Sequence, residues 1–85
     1  MIKNFIIAEV LNKNTNKRDE DFGYGVGREC SIDLLFINIG NCLPVHYPNN
    51  KYFITSKIDK IEEDKYGFTI TTQNRIYRFN YKNNC

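Results

Sequence analysis

The chain has 85 residues, of which 41% are hydrophobic and 14% aromatic, and its formal net charge is +2. This length supports a single hydrophobic core, so a catalytic site formed by two closing domains is excluded. The hydrophobic content excludes a disordered tail, and so small a charge does not identify nucleic acid or a membrane as the partner. We expect one domain over residues 1–85.

Residue usage and the amino-terminal segment bear on source and compartment. Lys, Asn, Ile, Phe and Tyr make up 43 of the 85 residues, and their codons are AT-rich, which favours a low-GC bacterium, or its phage or plasmid, as the source. The apolar run after Lys3 is interrupted by Glu9 and lacks the features of a secretory signal. With no membrane-length apolar stretch and an odd number of cysteines, the sequence predicts a cytoplasmic, reduced protein.

The first half of the chain is read as two long apolar strands and a short one. Residues 2–11 predict a strand with Phe5 and Ile7 on one face and Ile6, Ala8 and Val10 on the other. Residues 12–28 predict a long loop. Residues 31–39 are the most apolar and predict a central strand. Residues 42–47 predict an edge strand, because prolines at 44 and 48 cannot donate to a ladder, and a tight turn follows at 49–50.

The second half alternates more clearly. Residues 51–58 predict a strand with Tyr52 and Ile54 opposite Phe53 and Thr55. Residues 57–63 fit either one helical turn or a strand with a bulge, and 62–67 predict a polar turn. Residues 68–72 and 76–81 predict a hairpin, with one face of each strand formed by Phe68, Ile70 and Thr72 and by Tyr77, Phe79 and Tyr81.

No segment has the period of an amphipathic helix of ten or more residues. About six short strands with polar turns predict an all-β domain, either a single small antiparallel barrel or a compact sandwich, with at most one short helical turn.

The glycine-rich part of the long loop, Gly23-Tyr-Gly-Val-Gly27, lacks the spacing of a nucleotide-binding loop. Long loops in small domains often carry function, and aromatic and arginine side chains dominate interface energetics. Phe22, Tyr24 and Arg28 are therefore the predicted partner-binding residues.

Neither a metal site nor a catalytic set is predicted. Cys30, Cys42, Cys85 and His46 offer only one short spacing, without a zinc knuckle, so Cys30 and Cys42 are predicted core thiols and Cys85 a surface thiol. His46 is the one histidine and has no motif around it that indicates a catalytic base. We expect no enzyme activity, metal or cofactor.

Arg75, Arg78 and Lys82 add a local charge of +3 to the last strand, interleaved with aromatic residues and with no acidic residue nearby in sequence. This combination is typical of contacts with an anion or single-stranded nucleic acid. Alternation, however, predicts that the rings face the core while Arg78 faces solvent, so a solvated face explains the same pattern.

Residues 52–61 (YFITSKIDKI) and 67–79 (GFTITTQNRIYRF) resemble a pattern in short β-proteins of phages and plasmids. The pattern runs aromatic-x-x-Thr-Ser-x-Ile/Val-x-x-Ile and then Ile-x-Thr-x-Asn-Ser-x-Tyr-x-Phe, and Arg75 departs from its serine. Small proteins of that origin include anti-defence and anti-CRISPR factors, which mask a host effector or sequester a nucleotide signal. The resemblance implies this class and assigns no functional residue.

The leading hypothesis is a non-catalytic inhibitor that binds a bacterial immune protein, such as a CRISPR nuclease complex, stoichiometrically. One alternative is an oligomeric protein that sequesters a nucleotide signal in the glycine-rich loop. Another is a nucleic-acid-binding barrel that uses Arg75, Arg78 and Lys82.

Overall fold

The computed structural model describes residues 1–18 and 26–82. It confirms the all-β prediction and selects the barrel: six antiparallel strands close in the order β1 to β6, with one 3-10 turn at Leu34–Phe36. The strands are β1 Ile2–Asn12, β2 Glu29–Asp33, β3 Cys42–His46, β4 Tyr52–Asp64, β5 Gly67–Thr72 and β6 Arg75–Tyr81.

The two longest strands, β1 and β4, curve the sheet into a barrel. The beginning of β1 pairs with β2 and the rest with β6, while β4 pairs first with β3 and then with β5. β1 has a register shift between Ile7 and Glu9, where it pairs with β6. β4 has one between Ile58 and Lys60, where it pairs with β5, and its pairing with β3 has another between Cys42 and Pro44. Bulges bend a strand and increase its twist, so residues 57–63 form the bulged strand, and the helical-turn alternative is wrong.

The core is formed by inward side chains of every strand. Twelve hydrophobic residues are buried: Phe5, Ile7, Val10, Cys30, Ile32, Leu43, Val45, Tyr47, Ile58, Ile70, Tyr77 and Phe79. Val10 faces inward with Phe5 and Ile7, so its predicted placement on the opposite face is wrong. The β1 bulge adds one residue between Ile7 and Val10 and reverses the alternation.

The predicted central strand at 31–39 is wrong beyond Asp33. There the Asp33 side chain accepts a hydrogen bond from Leu35 N at 3.1 Å and caps the 3-10 turn. This local bond offers the backbone an alternative to the ladder, so the apolar run leaves the sheet. The chain returns as β3, which pairs on both sides in the closed barrel and is not an edge strand.

The remaining turns follow the predicted positions closely. The turn at 49–50 is present, with Asn50 at a φ of 67°. The hairpin of β5 and β6 is confirmed, with Ile70, Thr72, Tyr77 and Phe79 buried on its inner face. The predicted polar turn at 62–67 is shorter, because β4 continues to Asp64 and β5 begins at Gly67.

Candidate functional site

One side of the barrel exposes most of the large hydrophobic side chains that the described residues leave uncovered. Of eight such residues, only Tyr66 lies elsewhere; the other seven are on the start of β1, in the loop from β2 to β3, and on the start of β4. We call these seven residues the apolar face: Met1, Ile2, Leu35, Phe36, Ile39, Tyr52 and Ile54.

The apolar face surrounds the weakest seam of the barrel. β2 and β3 are paired at a single position, Ser31 with His46, whereas β1 and β6 are paired at seven. Two features of the sequence explain the difference: Asp33 ends β2 by capping the 3-10 turn, and Pro44 has no N–H to donate. The loop that carries Leu35, Phe36 and Ile39 joins the strands across this seam.

The strand positions explain why Tyr52 and Ile54 point outward. Phe53 and Thr55 face the barrel interior, so their neighbours in β4 are exposed, Tyr52 by 60% and Ile54 by 57%. Ile54 is opposite Pro44, and the Tyr52 ring lies 5.5 Å from the His46 ring. The resulting surface combines an aromatic pair with aliphatic side chains.

Charge is sparse on this surface. The outward positions of β3 are Cys42, Pro44 and His46, and none carries a carboxylate, an ammonium or a guanidinium group. Asp33 is paired with the Met1 amino group at 3.2 Å. Its bonds to Leu35 N and to that amino group lower the pKa of the Asp33 carboxyl below its ordinary 3.8. A surface of apolar side chains with few charged groups suits contact with another protein.

Arg28 is the predicted partner-binding residue that the structure describes. Its guanidinium lies 4.2 Å from the Tyr47 ring centroid, and the side chain is half-buried. The cation–π contact holds the arginine against the end of the barrel. Phe22 and Tyr24 lie outside the described residues, so their part in a binding site stays a prediction.

Arg78, in the middle of β6, is paired with an acidic residue of β4. The Arg78 guanidinium donates to Asp64 at 2.8 Å, Thr69 at 3.1 Å and Asn80 at 2.7 Å. The bond from Arg78, with amide donors from Tyr66 and Gly67, holds the pKa of the Asp64 carboxyl below its ordinary 3.8.

Lys82 is also paired, and Arg75 occupies a different place. The Lys82 ammonium contacts Glu29 at 2.9 Å. Arg75 begins β6, where its amide N–H donates to the hydroxyl of Thr72 at 3.1 Å. The three residues therefore do not form one patch of uncompensated charge, and an anion contact by each stays a prediction.

A cavity of about 280 Å³ lies where β6 ends, lined by Lys3, Asn4, Tyr81 and Lys82. The Lys3 ammonium lies 5.1 Å from the Tyr81 ring centroid, and the Tyr81 hydroxyl donates to Glu63 at 2.9 Å. Burial, followed by this bond to Glu63, raises the pKa of the Tyr81 phenol above 10.0. The cavity was not predicted from the sequence because Lys3 and Lys82 lie at opposite ends of the chain.

The cysteines divide between core and surface. Cys30 is buried as predicted, and burial, with a smaller effect of Glu29, raises the pKa of its thiol to about 12. Cys42 is exposed, so its prediction as a core thiol is wrong: it begins β3 with its side chain outward while Leu43 faces the core. Cys85 lies outside the described residues.

Three further findings complete the description of the site. Within residues 1–18 and 26–82, no three His, Cys, Asp or Glu residues are grouped to hold a metal ion. No helix in this part of the chain has the length and apolar character to cross a membrane. Comparison with protein-family models, curated proteins and solved structures found no match.

Proposed function

We propose that this chain is a non-catalytic binding protein that docks on another protein through the apolar face and thereby inhibits it. The observation that carries the proposal is that seven of the eight exposed large hydrophobic residues described lie on the start of β1, on the start of β4 and in the loop from β2 to β3, around the β2–β3 seam. Small soluble domains rarely leave a large contiguous apolar patch uncovered, and such patches mark interaction sites.

Magnitudes indicate how such a face would bind. Covering the exposed part of one Leu, Ile, Phe or Tyr side chain gains about 1–2 kcal/mol. Seven such side chains gain roughly 7–14 kcal/mol, which is comparable to the association cost of about 4–15 kcal/mol. The face would therefore need polar contacts at its rim, and the loss of one central side chain would weaken binding about 5- to 30-fold.

The partner that we propose is an effector of a bacterial immune system, such as a CRISPR nuclease complex. Support for this partner comes from the excess of residue types that AT-rich codons encode. It also comes from the resemblance of residues 52–79 to short β-proteins of phages and plasmids, which include anti-defence factors. Tyr52 and Ile54, on the apolar face, belong to the segment that carries the resemblance. The proposed mode of action is stoichiometric masking of a surface that the effector needs.

Two tyrosines allow a matched experiment, because Tyr52 is 60% exposed on the apolar face and Tyr66 is 63% exposed outside it. The chain and its Tyr52→Asp and Tyr66→Asp variants would be expressed in bacteria that carry defined CRISPR effectors, and plasmid interference would be measured. Wild type and Tyr66→Asp should protect the plasmid and co-purify with one effector, and Tyr52→Asp should do neither.

Two results would contradict the proposal in different ways. If the two tyrosine variants behave alike while the wild type binds, the apolar face is not the docking surface. If the wild type neither inhibits nor binds any effector, the proposed immune partner is wrong. If the wild type then captures another protein and Tyr52→Asp does not, only the assignment of the apolar face as a docking surface is supported.

Nucleic-acid binding by Arg75, Arg78 and Lys82 has less support. Arg78 and Lys82 each contact a carboxylate, and the Arg78 side chain is 20% exposed. A phosphate contact by Arg78 would require the guanidinium to leave Asp64, so these three residues do not offer the continuous row of available cations that a nucleic-acid strand needs, and we favour protein binding.

A further inference from the structure

The cavity beside the end of β6 has a position that the fold explains. β6 ends at Tyr81, opposite Phe5, while β1 extends back to Ile2 alongside β2. Directly after β6, the backbone N–H of Lys82 donates a hydrogen bond to Asn4 O at 3.1 Å. A step in the barrel wall results, and the cavity of about 280 Å³ occupies this step.

One wall of the cavity is held firmly. The Tyr81 ring stacks on Phe5 with centroids 5.3 Å apart and meets Phe68 edge-on at 5.9 Å. The Tyr81 hydroxyl is fixed by its bond to Glu63. A ligand in the cavity would therefore meet a side chain that is already ordered, which lowers the entropy cost of binding.

The cavity also carries positive charge. The Lys3 ammonium lies over the Tyr81 ring at 5.1 Å, and no carboxylate of the described residues lies within 4.0 Å of it. The Lys82 ammonium uses one contact on Glu29, and both side chains of this pair are partly exposed, by 40% and 38%. An ammonium has three donors, so Lys82 keeps donors for a ligand.

From this arrangement we propose that the cavity binds the phosphate group of a small phosphorylated molecule. The Lys3 and Lys82 ammonium groups supply the charge, the Asn4 amide supplies a further donor, and the Tyr81 ring forms the wall. Phosphate esters carry a charge of about −1.5 to −2 at neutral pH, so two ammonium groups on flexible stems match a phosphate better than a singly charged carboxylate.

The surroundings favour a small ligand over a nucleic-acid strand. A strand needs a continuous row of cations along its backbone and aromatic faces on which bases stack. The nearest arginine on β6, Arg78, is paired with Asp64. The Tyr81 ring stacks on Phe5 and has the Lys3 ammonium over it, so a base could stack on this ring only by displacing Lys3.

The experiment is a titration of the ¹⁵N-labelled chain, followed by amide shifts of Asn4, Tyr81 and Lys82. The probes are inorganic phosphate, adenosine 5′-monophosphate and a short single-stranded oligonucleotide. The Lys3→Gln and Lys82→Gln variants should each weaken phosphate binding about tenfold. The matched control is Lys13→Gln, whose lysine pairs with Asp59 at 2.7 Å outside the cavity and which should bind as the wild type does.

The outcomes separate the possible sources of the phosphate. Equal affinity for the two small probes identifies the phosphate alone as the ligand group, and tighter binding of the mononucleotide identifies a phosphate ester; both support the proposal. Affinity for the mononucleotide should also fall between about pH 7.5 and pH 5.5, because a phosphate ester becomes a monoanion near a pKa of about 6.

The proposal is overturned if neither small probe shifts these amides at millimolar concentration, including the case in which only the oligonucleotide binds. It is also overturned if Lys13→Gln weakens binding as much as Lys3→Gln. Circular dichroism of each variant shows whether a loss of binding reflects a loss of fold.

Discussion

The two sides of the barrel are built differently. On one side, β6 pairs with β1 at seven positions and with β5 at five. On the other side, β2 and β3 meet at one position, and most of the exposed hydrophobic residues surround them. The comparison indicates that the β1–β6–β5 side holds the fold together, which leaves the β2–β3 seam free to present an apolar surface.

Polar contacts follow the same division. The buried Thr72 hydroxyl bonds to Ser56 at 2.9 Å and to both the carbonyl and the amide of Arg75 at 3.1 Å, which closes the hairpin between β5 and β6. Arg78 connects β6 to Thr69 on β5 and to Asp64 at the end of β4. The outward positions of β3 have no comparable charge network in the part of the chain described.

We expect the largest effect on stability from Gly67→Ala, a substitution on the well-paired side of the barrel. A Cβ at Gly67 would overlap the carbonyl oxygen of Phe79, and its φ of +151° disfavours other residues. We expect the loss of a large fraction of a total stability of roughly 4–13 kcal/mol, measured by urea unfolding. Gly40→Ala, with φ +89° but open space around the new Cβ, should lose only about 1–2 kcal/mol; equal losses would contradict the close contact at Gly67.

The second test compares two phenylalanines. Phe79 is 1% exposed within the core, whereas Phe36 is 46% exposed in the 3-10 turn. Phe79→Ala should lower the free energy of unfolding by about 3–5 kcal/mol, and Phe36→Ala by about 1 kcal/mol. Chemical denaturation of both variants checks this, and a similar cost at both positions would mean that the seam stabilises the barrel as much as the core does.

The third test concerns the charge network. Arg78→Met removes the hydrogen bonds to Thr69 and Asn80 and should cost about 1–2 kcal/mol at neutral pH. Because the folded-state pKa of Asp64 is lowered, its contribution is present above its ordinary pKa of 3.8 and is lost as pH falls through the lower folded value. Wild type should therefore lose more stability than Arg78→Met between about pH 5 and pH 2, as measured by thermal unfolding; parallel curves would contradict the coupling.

The smallest effect is expected on the apolar face. Ile54→Thr replaces a 57% exposed side chain on β4 and should change the free energy of unfolding by no more than about 0.5 kcal/mol. Ile58→Thr, four residues along the same strand but 1% exposed, should cost more than about 2 kcal/mol because it buries a hydroxyl. Urea unfolding of the two variants measures the difference. A large loss of stability in Ile54→Thr would mean that the apolar face stabilises the fold.

Alternation of apolar residues was sufficient to predict the all-β class, the β5–β6 hairpin and the placement of Tyr52 and Ile54 on the strand face opposite Phe53 and Thr55. It failed where a local bond or an inserted residue changed the period. Leu34–Phe36 has the composition of a strand, but the Asp33 side chain redirects the backbone there. Val10 changes face because of a bulge, and the composition of residues 7–10 contains no signal for it.

The candidate site was less predictable for a different reason. Exposure of Leu35, Phe36 and Ile39 depends on the early end of β2, so their hydrophobicity alone indicated the core. The acidic partners of Arg78 and Lys82 are distant in sequence and become neighbours only through strand pairing. Cross-strand contacts of this kind follow from register, which alternation does not specify in a barrel with shifted strands.

The bulges in β1 and β4 make the barrel tolerant of one kind of mutation and sensitive to another. Ala8 and Asp59 lie at the register shifts, where an additional residue, rather than a particular side chain, bends the strand. Point substitutions at these positions therefore leave the curvature in place. Deletion of the codon for Ala8 or Asp59 removes the additional residue and changes the register of the rest of the strand, so the gene should accumulate replacements there but not length changes.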